Sequence, residues 1–341
     1  MNKEISVGLN ITRIVACFFV ILLHTSAMGL YKTNYYWEQL NIIDSMTRVC
    51  VPLFIMLSGA LLIREKPDSK TKIAKRIIII MACLFFWSIV YIWRDKNAAL
   101  SLGMLFDSIE GILSGPVKYH LWYLYFIVGA YVAIPFLSKA YHNSSLKSSI
   151  SYLFIWFLLC TFMTFKNMIG VYNNYVQTFN LSYLADVMGY LILGRLIFDF
   201  VCKNESKIKS LPFIVAFFLS VAATSLFVYF MSIKSENIDQ SLYSYTSPFV
   251  IIGASSIFIL FLKNGNILSR FESQLSKVSQ LTLGVYCMHL LFVDYFYTMF
   301  IYWWGYKMNS IYVLLSSVAT FVICLLVSFI IKKTKILSFA V

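Results

Sequence analysis

The chain has 341 residues, of which 60% are hydrophobic, 18% aromatic and 13% charged. A soluble domain carries about 25% charged residues, so this composition excludes a soluble domain and favours a protein whose solvent is the lipid bilayer. The formal net charge is +13, but Lys and Arg lie between apolar runs rather than on one polar face, which argues against a nucleic-acid partner. We therefore treat 1–341 as a single membrane domain without a soluble domain.

Ten apolar runs follow one another along the chain, each close to the ~20 residues that a helix needs to cross the hydrocarbon. They lie at 9–30, 46–63, 77–93, 121–138, 150–165, 181–200, 211–233, 246–262, 280–302 and 310–331. The pattern predicts an all-α integral membrane protein, a bundle of about ten transmembrane helices. In the stretch 99–115, apolar residues recur at helical spacing around Asp107 and Glu110. That stretch predicts an amphipathic helix at the outer membrane surface.

The positive charges between the spans predict an orientation with both termini inside the cell. With this orientation most Lys and Arg residues fall in the inner segments, as the positive-inside rule expects. Aromatic clusters such as Tyr35, Tyr36 and Trp37 then fall on the outer side, where they form an interfacial belt. The expected topology is N-in and C-in.

Seven cysteines are scattered along the chain, mostly within apolar runs. The sequence has no CxxC pair and no Cys/His spacing typical of a metal site. We interpret the cysteines as small buried apolar side chains, and no metal site is predicted.

Two residues inside the first apolar run, Arg13 and His24, are candidates for function, because an ionisable group is costly inside a membrane. Eleven residues make close to three helical turns, so both lie on one helix face, about 16 Å apart. Arg can hold phosphates through bidentate hydrogen bonds, and His can take a proton from a hydroxyl near neutral pH. The spacing equally allows that Arg13 reaches the interface and that His24 bonds a nearby backbone carbonyl.

Five segments resemble, in order, the motifs of the acyltransferase-3 family of membrane acyltransferases. They are Arg13 and His24 with ten residues between them, Val51–Gly59, His120-Leu-Trp122, Leu193-Gly194-Arg195 and Leu283–His289. The resemblance covers most of the chain. It implies a ten-helix protein of the bacterial inner membrane that moves acyl groups, often acetyl from acetyl-CoA, onto sugar hydroxyls of cell-surface polymers.

The resemblance also implies roles for individual residues. The catalytic candidates are His24, His120 and His289; the candidates for holding acetyl-CoA are Arg13, Lys72, Arg76 and Arg195; those for the acceptor are Trp122 and Tyr286. The loop before the third span departs from the family pattern Arg-x3-Arg, because Lys72 stands at its first position. Lysine still binds phosphate, but as a point charge.

Each of these residues also has a simpler interpretation. The Lys72–Arg76 loop fits a plain positive-inside loop, and Arg195 fits a side chain that reaches the interface. His120 with Trp122 fits an aromatic belt, and His289 fits a hydrogen bond between helices. Ser58-Gly59 favours close helix packing over a nucleophile.

Further acidic residues, Asp44, Asp186 and Asp294, lie near span ends or within spans. Asp294 is about 140° round the helix from His289, so it is not simply the carboxylate that orients that histidine.

The expected reaction is transfer of an acetyl group from acetyl-CoA, bound from the cytoplasm, to a surface glycan or an undecaprenyl-linked sugar. His24 acts as general base or carries the acetyl group transiently, and Tyr286 or His289 is a possible donor to the oxyanion. The alternative is a transporter or flippase of a lipid-linked glycan, which ten spans and intramembrane charges also fit. The sequence shows no internal repeat and no pair of Pro- or Gly-broken helices, which argues against that alternative.

Overall fold

The computed structural model describes residues 2–96, 102–166, 168–233, 235, 237–305, 307–334 and 337–341, with backbone alone at 96, 102–107 and 304. Every regular element in these ranges is helical. The α-helices are α1 Lys3–Ala27, α2 Trp37–Thr47, α3 Cys50–Leu62, α4 Lys70–Lys96, α5 Leu102–Ser114, α6 Trp122–Asn143, α7 Leu146–Phe165, α8 Tyr175–Thr178, α9 Gly189–Asn204, α10 Ser210–Ile233, α11 Pro248–Lys263, α12 Glu272–Ser279, α13 Thr282–Trp304 and α14 Ser310–Lys333. Short 3-10 turns include Tyr119–Leu121 before α6 and Ser338–Ala340 near the C-terminus.

The prediction of an all-helical, multi-pass membrane bundle is confirmed. Within the described ranges, 9 helical segments are long and apolar enough to cross a membrane. The remaining predicted span, 181–200, corresponds to α9, which has only 16 residues and begins at Gly189. Sixteen residues cover about 24 Å of a hydrocarbon core that is about 30 Å thick. The orientation of the termini and the single domain over 1–341 remain predictions.

The second span begins at Trp37, before the predicted start at 46, and a turn at residues 48–49 divides it into α2 and α3. Pro52 gives the physical reason, because it has no N–H to donate to the Arg48 carbonyl four residues earlier. Hydropathy over the predicted run 46–63 does not reveal this break. The break leaves the Arg48 side chain, 15% exposed, inside the bundle.

Helix α1 lies at the centre of the bundle. It packs against α2, α3, α11, α12, α13 and α14, and more than half of its apolar stretch is buried, against about a quarter for α10 and α14. A central first helix brings Arg13 and His24 into the interior rather than to the lipid. We call the end of the bundle that carries Lys3, Lys72, Arg76 and Lys332 the basic end, and the opposite end the histidine end.

Two of the sequence motifs meet where α3 packs on α9. A Cβ on Gly59 would lie 2.0 Å from the Leu191 carbonyl oxygen, and one on Gly194 would lie 2.2 Å from the Met56 carbonyl oxygen. Only glycine allows the two backbones to approach so closely. These contacts support the interpretation of Ser58-Gly59 as helix packing.

The helix predicted within 99–115 is present as α5, while residues 99–101 lie outside the described ranges. Ile112 on α5 is buried and Leu113 beside it is 62% exposed. The Tyr125 hydroxyl donates to the Gly115 carbonyl oxygen at 2.9 Å, which ties the end of α5 to α6. Its position at the membrane surface remains a prediction.

Candidate active site

Three histidines that are far apart in sequence meet at one place, and each comes from a different element. His24 lies in the last turn of α1, His120 in the 3-10 turn before α6, and His289 in the middle of α13. The ring centroids of His120 and His289 are 4.9 Å apart, those of His24 and His289 5.2 Å, and those of His24 and His120 6.4 Å. We call these three residues the histidine cluster. Within the described part of the chain, no group of three or more His, Cys, Asp or Glu side chains has a metal-binding arrangement.

Backbone carbonyls fix the orientation of two of these rings. His289 Nδ1 donates to the Tyr286 carbonyl oxygen at 2.6 Å, and His120 Nε2 donates to the Cys287 carbonyl oxygen at 3.1 Å. A carbonyl only accepts, so these nitrogens carry the protons of the neutral rings. His289 Nε2 and His120 Nδ1 are then bare acceptors, and both are buried without a partner among the described residues. Two hydrogen-bond acceptors are thus free for a ligand that donates.

His24 differs from the other two, because its ring is half-buried and makes no hydrogen bond to any residue that the structure describes. The ring lies parallel to that of His289, with an angle of 20° between the planes. On another side it meets the edge of Tyr119 at 5.1 Å, and Tyr119 is 54% exposed. The histidine cluster is therefore approachable from the histidine end.

A cavity of about 320 Å³ runs from the basic end toward the histidine cluster. Its lining residues include Arg13, Phe54, Ser58, Ile80, Tyr123, Tyr131, Gln280, Tyr286 and Val341. On α6, Tyr131 lies at the mouth and Tyr123 at the deep end, eight residues away, which gives a depth of about 12 Å. The Trp87 indole N–H donates to the Ala340 carbonyl oxygen at 2.9 Å and holds the segment whose Val341 side chain lines the cavity.

The deep end of this cavity is closed by three aromatic rings, Phe54 of α3, Tyr123 of α6 and Tyr286 of α13. Their centroids are 5.7 to 6.4 Å apart. We call these three residues the aromatic layer. The Tyr286 hydroxyl donates to the His120 carbonyl oxygen, so this layer lies between the cavity and the histidine cluster.

Arg13 is the one cation among the described residues that line the cavity. Its side chain is half-buried and makes neither an ion pair nor a hydrogen bond to any residue within the described ranges. A charge held in an apolar bundle without a partner is costly. Its place beside a cavity with hydroxyl and amide neighbours fits an anionic ligand such as a phosphate.

Lys72 and Arg76 lie near this cavity, but in the first turns of α4 and not in a loop as predicted. Arg76 forms an ion pair with Asp68 at 2.7 Å, and Lys72 is exposed one helical turn earlier. The Tyr131 hydroxyl at the cavity mouth interacts electrostatically with both Arg13 and Arg76. A ligand that extends out of the cavity past Tyr131 would therefore approach Lys72 and Arg76.

Arg195 is not part of the cavity wall. Its guanidinium pairs with Asp199 at 2.7 Å and donates to the Ala60 carbonyl oxygen near the end of α3 at 3.4 Å. Asp199 also accepts from the Tyr141 hydroxyl at 2.9 Å. These contacts join α9 to α3 and α6, so the structure places Arg195 in a cross-link between helices, away from the other candidates for holding the donor.

Of the two residues assigned to the acceptor, Tyr286 lies in the aromatic layer and Trp122 lies at the start of α6. The half-buried Trp122 ring stacks on Tyr245, with centroids 6.1 Å apart. Tyr119 rather than Trp122 makes the ring contact with His24. The family motifs assign no role to Tyr119, and its place directly before His120 was the available signal for one.

Ion pairs lie at the histidine end of the bundle. Arg94 of α4 bridges to Asp294 of α13 at 2.9 Å, and Lys118 pairs with Asp95 at 2.9 Å. Asp294 is thus occupied by Arg94, while a backbone carbonyl orients His289. The expectation that Asp294 is not simply the orienting carboxylate of His289 agrees with this geometry.

Asp44 and Arg48 form a buried charge pair that was not predicted from the sequence. The Asp44 carboxylate is fully buried, accepts from Arg48 Nε at 2.5 Å and accepts from Ser26 Oγ at 3.3 Å. The Arg48 guanidinium lies over the Tyr243 ring, 4.3 Å from its centroid, and interacts electrostatically with His24. An acidic and a basic residue four positions apart inside an apolar run was the available signal.

The family model for the acyltransferase domain matches residues 6–329, nearly the whole chain. No curated protein and no solved structure matches the chain. The matched region contains the histidine cluster, Arg13 and the aromatic layer. The chain therefore belongs to the acyltransferase-3 family and is a membrane acyltransferase.

Proposed function

We propose that the protein is an O-acetyltransferase of the bacterial inner membrane that moves acetyl from acetyl-CoA to a sugar hydroxyl of a surface polysaccharide or its undecaprenyl-linked precursor. This is the activity of the O-acetyltransferase of enterobacterial common antigen, whose motifs this chain resembles. The observation that carries the proposal is Arg13, which pairs with none of the described residues, at one end of a cavity and three histidines beyond its other end.

The donor side of the proposal rests on charge. The pyrophosphate and phosphate groups of acetyl-CoA are anionic, and the guanidinium of Arg13 can hold phosphate bidentately. Lys72 and Arg76 lie beyond the mouth, where the nucleotide would remain in water. The pantetheine arm would enter the cavity and bring the thioester to the aromatic layer. Arg195 contributes to the packing of α9 rather than to this contact.

The acceptor side rests on hydrogen-bonding capacity. The neutral rings of His120 and His289 present bare nitrogens, which accept from hydroxyl groups and cannot donate to an oxyanion. The half-buried His24 ring adds a third basic group. A sugar has several neighbouring hydroxyls, so it can donate to more than one of these rings at once.

The reaction then balances as follows. His24 takes the proton of the acceptor hydroxyl, the hydroxyl oxygen bonds to the acyl carbon, and the carbon–sulfur bond breaks. The CoA thiolate that leaves takes up a proton, which the His24 imidazolium can supply. Because the aromatic layer lies between the cavity and the histidine cluster, the acyl carbon and the acceptor hydroxyl would have to meet at this layer. In the variant route, His24 itself holds the acetyl group between two such steps.

Membranes prepared with and without the protein, incubated with acetyl-CoA labelled in the acetyl group, test the proposal. We expect label in the glycan fraction only when the protein is present. A glycan fraction without label, with the protein inserted and its host glycans present, would contradict it. Where label does appear, mass analysis of the surface polysaccharide would identify the modified sugar.

A further inference from the structure

The deep end of the Arg13 cavity is built from the innermost lining residue of each of three helices. On α3, α6 and α13 these are Phe54, Tyr123 and Tyr286, and each ring contacts the other two. A flexible aliphatic wall would adapt to ligands of different length. Three rings in mutual contact form a rigid end, because aromatic side chains are bulky and have only two rotatable bonds.

We propose that the aromatic layer selects the length of the acyl group, so that a two-carbon acyl chain fits against the rings and a four-carbon chain does not. This inference rests on the proposed function, because it assumes that the acyl thioester enters from the Arg13 side. It adds a specificity determinant, Phe54, to that function.

The dimensions support a short acyl group. The cavity volume of about 320 Å³ is at the lower end for ligand pockets, which hold about 300–1,000 Å³. A depth of about 12 Å is largely taken up by a pantetheine arm that extends from Arg13. Additional methylenes would have to displace the rings, and a well-packed aromatic contact resists such displacement.

Phe54 is the residue of the layer that tests this most cleanly. The Tyr286 hydroxyl is bonded to the His120 backbone, so a change at Tyr286 would also disturb the histidine cluster. The Phe54 ring carries no polar atom and contacts Tyr123 and Tyr286. Replacing it by a smaller apolar residue lengthens the cavity without leaving a buried polar group unpaired.

The experiment offers equal concentrations of [14C]acetyl-CoA and [3H]butyryl-CoA to membranes of the native host that contain the wild-type or variant protein. One methylene in an apolar pocket discriminates by roughly 10–200-fold. For wild type, which must reject two methylenes, we expect an acetyl-to-butyryl ratio in the glycan fraction of about 10² or more. For Phe54→Ala we expect a ratio within about tenfold of unity, and for Phe54→Leu an intermediate value.

Phe321→Ala is the matched control. Phe321 lies on α14 against Phe18 and outside the cavity wall, so its truncation should leave the ratio at the wild-type value. Acetyl transfer by Phe54→Ala at an unchanged ratio, or a wild-type protein with no preference, would overturn the length filter. If Phe54→Ala does not accumulate in the membrane, Phe54→Leu takes its place. An acetyl-to-butyryl ratio at the wild-type value would then overturn the length filter, and a lower ratio would support it. A wild-type protein that transfers neither label would instead contradict the proposed function.

Discussion

The imidazole of His24 lies parallel to that of His289, with ring centroids 5.2 Å apart. His289 is held by the Tyr286 carbonyl oxygen, while His24 has no hydrogen-bond partner among the described residues. The His289 ring is therefore held in position, whereas the His24 ring is free to take up a proton or an acyl group. This difference supports the proposal that His24 performs the chemical step and makes it the first target for substitution.

Replacing His24 by Gln should lower acetyl transfer by about 10²–10⁴-fold, because glutamine keeps hydrogen bonding but cannot accept the proton. His24→Ala should have an effect of the same size. The measurement is kcat with labelled acetyl-CoA, alongside acetyl-CoA binding, which both variants should retain. Near-normal transfer by the Gln variant would move the base to His120 or His289.

Replacing Arg13 by Ala should raise the KM for acetyl-CoA through loss of a charge-assisted contact worth about 1.5–3 kcal/mol, or roughly 10–150-fold. Arg13→Lys should restore only part of this, because it lacks the bidentate fork. Arg270→Ala is the control, since Arg270 is exposed at the basic end and outside the cavity. An unchanged KM for Arg13→Ala at normal expression would refute the phosphate contact.

Alanine at Gly59 or at Gly194 should lower the melting temperature of the detergent-solubilised protein. The added Cβ would meet a backbone carbonyl of the opposite helix at 2.0 or 2.2 Å, which only a shift of α3 against α9 can relieve. Gly129→Ala serves as the comparison, because a Cβ there has nothing within 4 Å. Equal melting temperatures for the three variants would contradict the close approach of these helices.

Replacing Asp44 by Ala should destabilise the protein by about 3–5 kcal/mol, because it leaves the Arg48 charge buried without its partner. The double variant Asp44→Ala/Arg48→Met should recover part of the loss. Glu272→Ala, which breaks an exposed pair with Lys3, should change stability by less than about 1 kcal/mol. Thermal melting of the purified protein measures all three, and a double variant less stable than the single one would argue against this explanation.

The predicted orientation is tested by reporters that are active only outside the cell. A reporter fused after Lys333 should be inactive, and one fused after Gly115 should be active, because three spans precede Gly115. The opposite pattern would mean that the bundle is inserted with both termini outside the cell. Acetyl-CoA would then have to reach Arg13 from outside, which no cytoplasmic donor can do.

The sequence predicted the spans and the separation of Arg13 from His24 well, because both follow from hydrophobic length and helix geometry. The start of α9 was predicted eight residues too early, since residues 181–188 are apolar enough to extend the run but fold as turns. Nothing in hydropathy distinguishes an apolar turn from an apolar helix.

The aromatic layer could not have been found from the sequence. Phe54 and Tyr123 are two among 30 Phe and 23 Tyr residues, and their meeting depends on how α3 and α6 turn against each other. The same holds for the two carbonyl contacts that orient His120 and His289. Composition indicates that such rings exist, whereas only tertiary packing decides which of them touch.

The cavity beside Arg13 opens at one end of the bundle, and the histidine cluster is approached from the other end. With the basic end toward the cytoplasm, the proposed reaction needs neither the nucleotide nor the glycan to cross the bilayer. Only an uncharged two-carbon unit makes the passage, in covalent form at every stage. The protein would then link acyl transfer to movement of the acetyl group across the membrane. Acetyl-CoA on one side could modify a glycan on the other side, and neither molecule would need its own transporter.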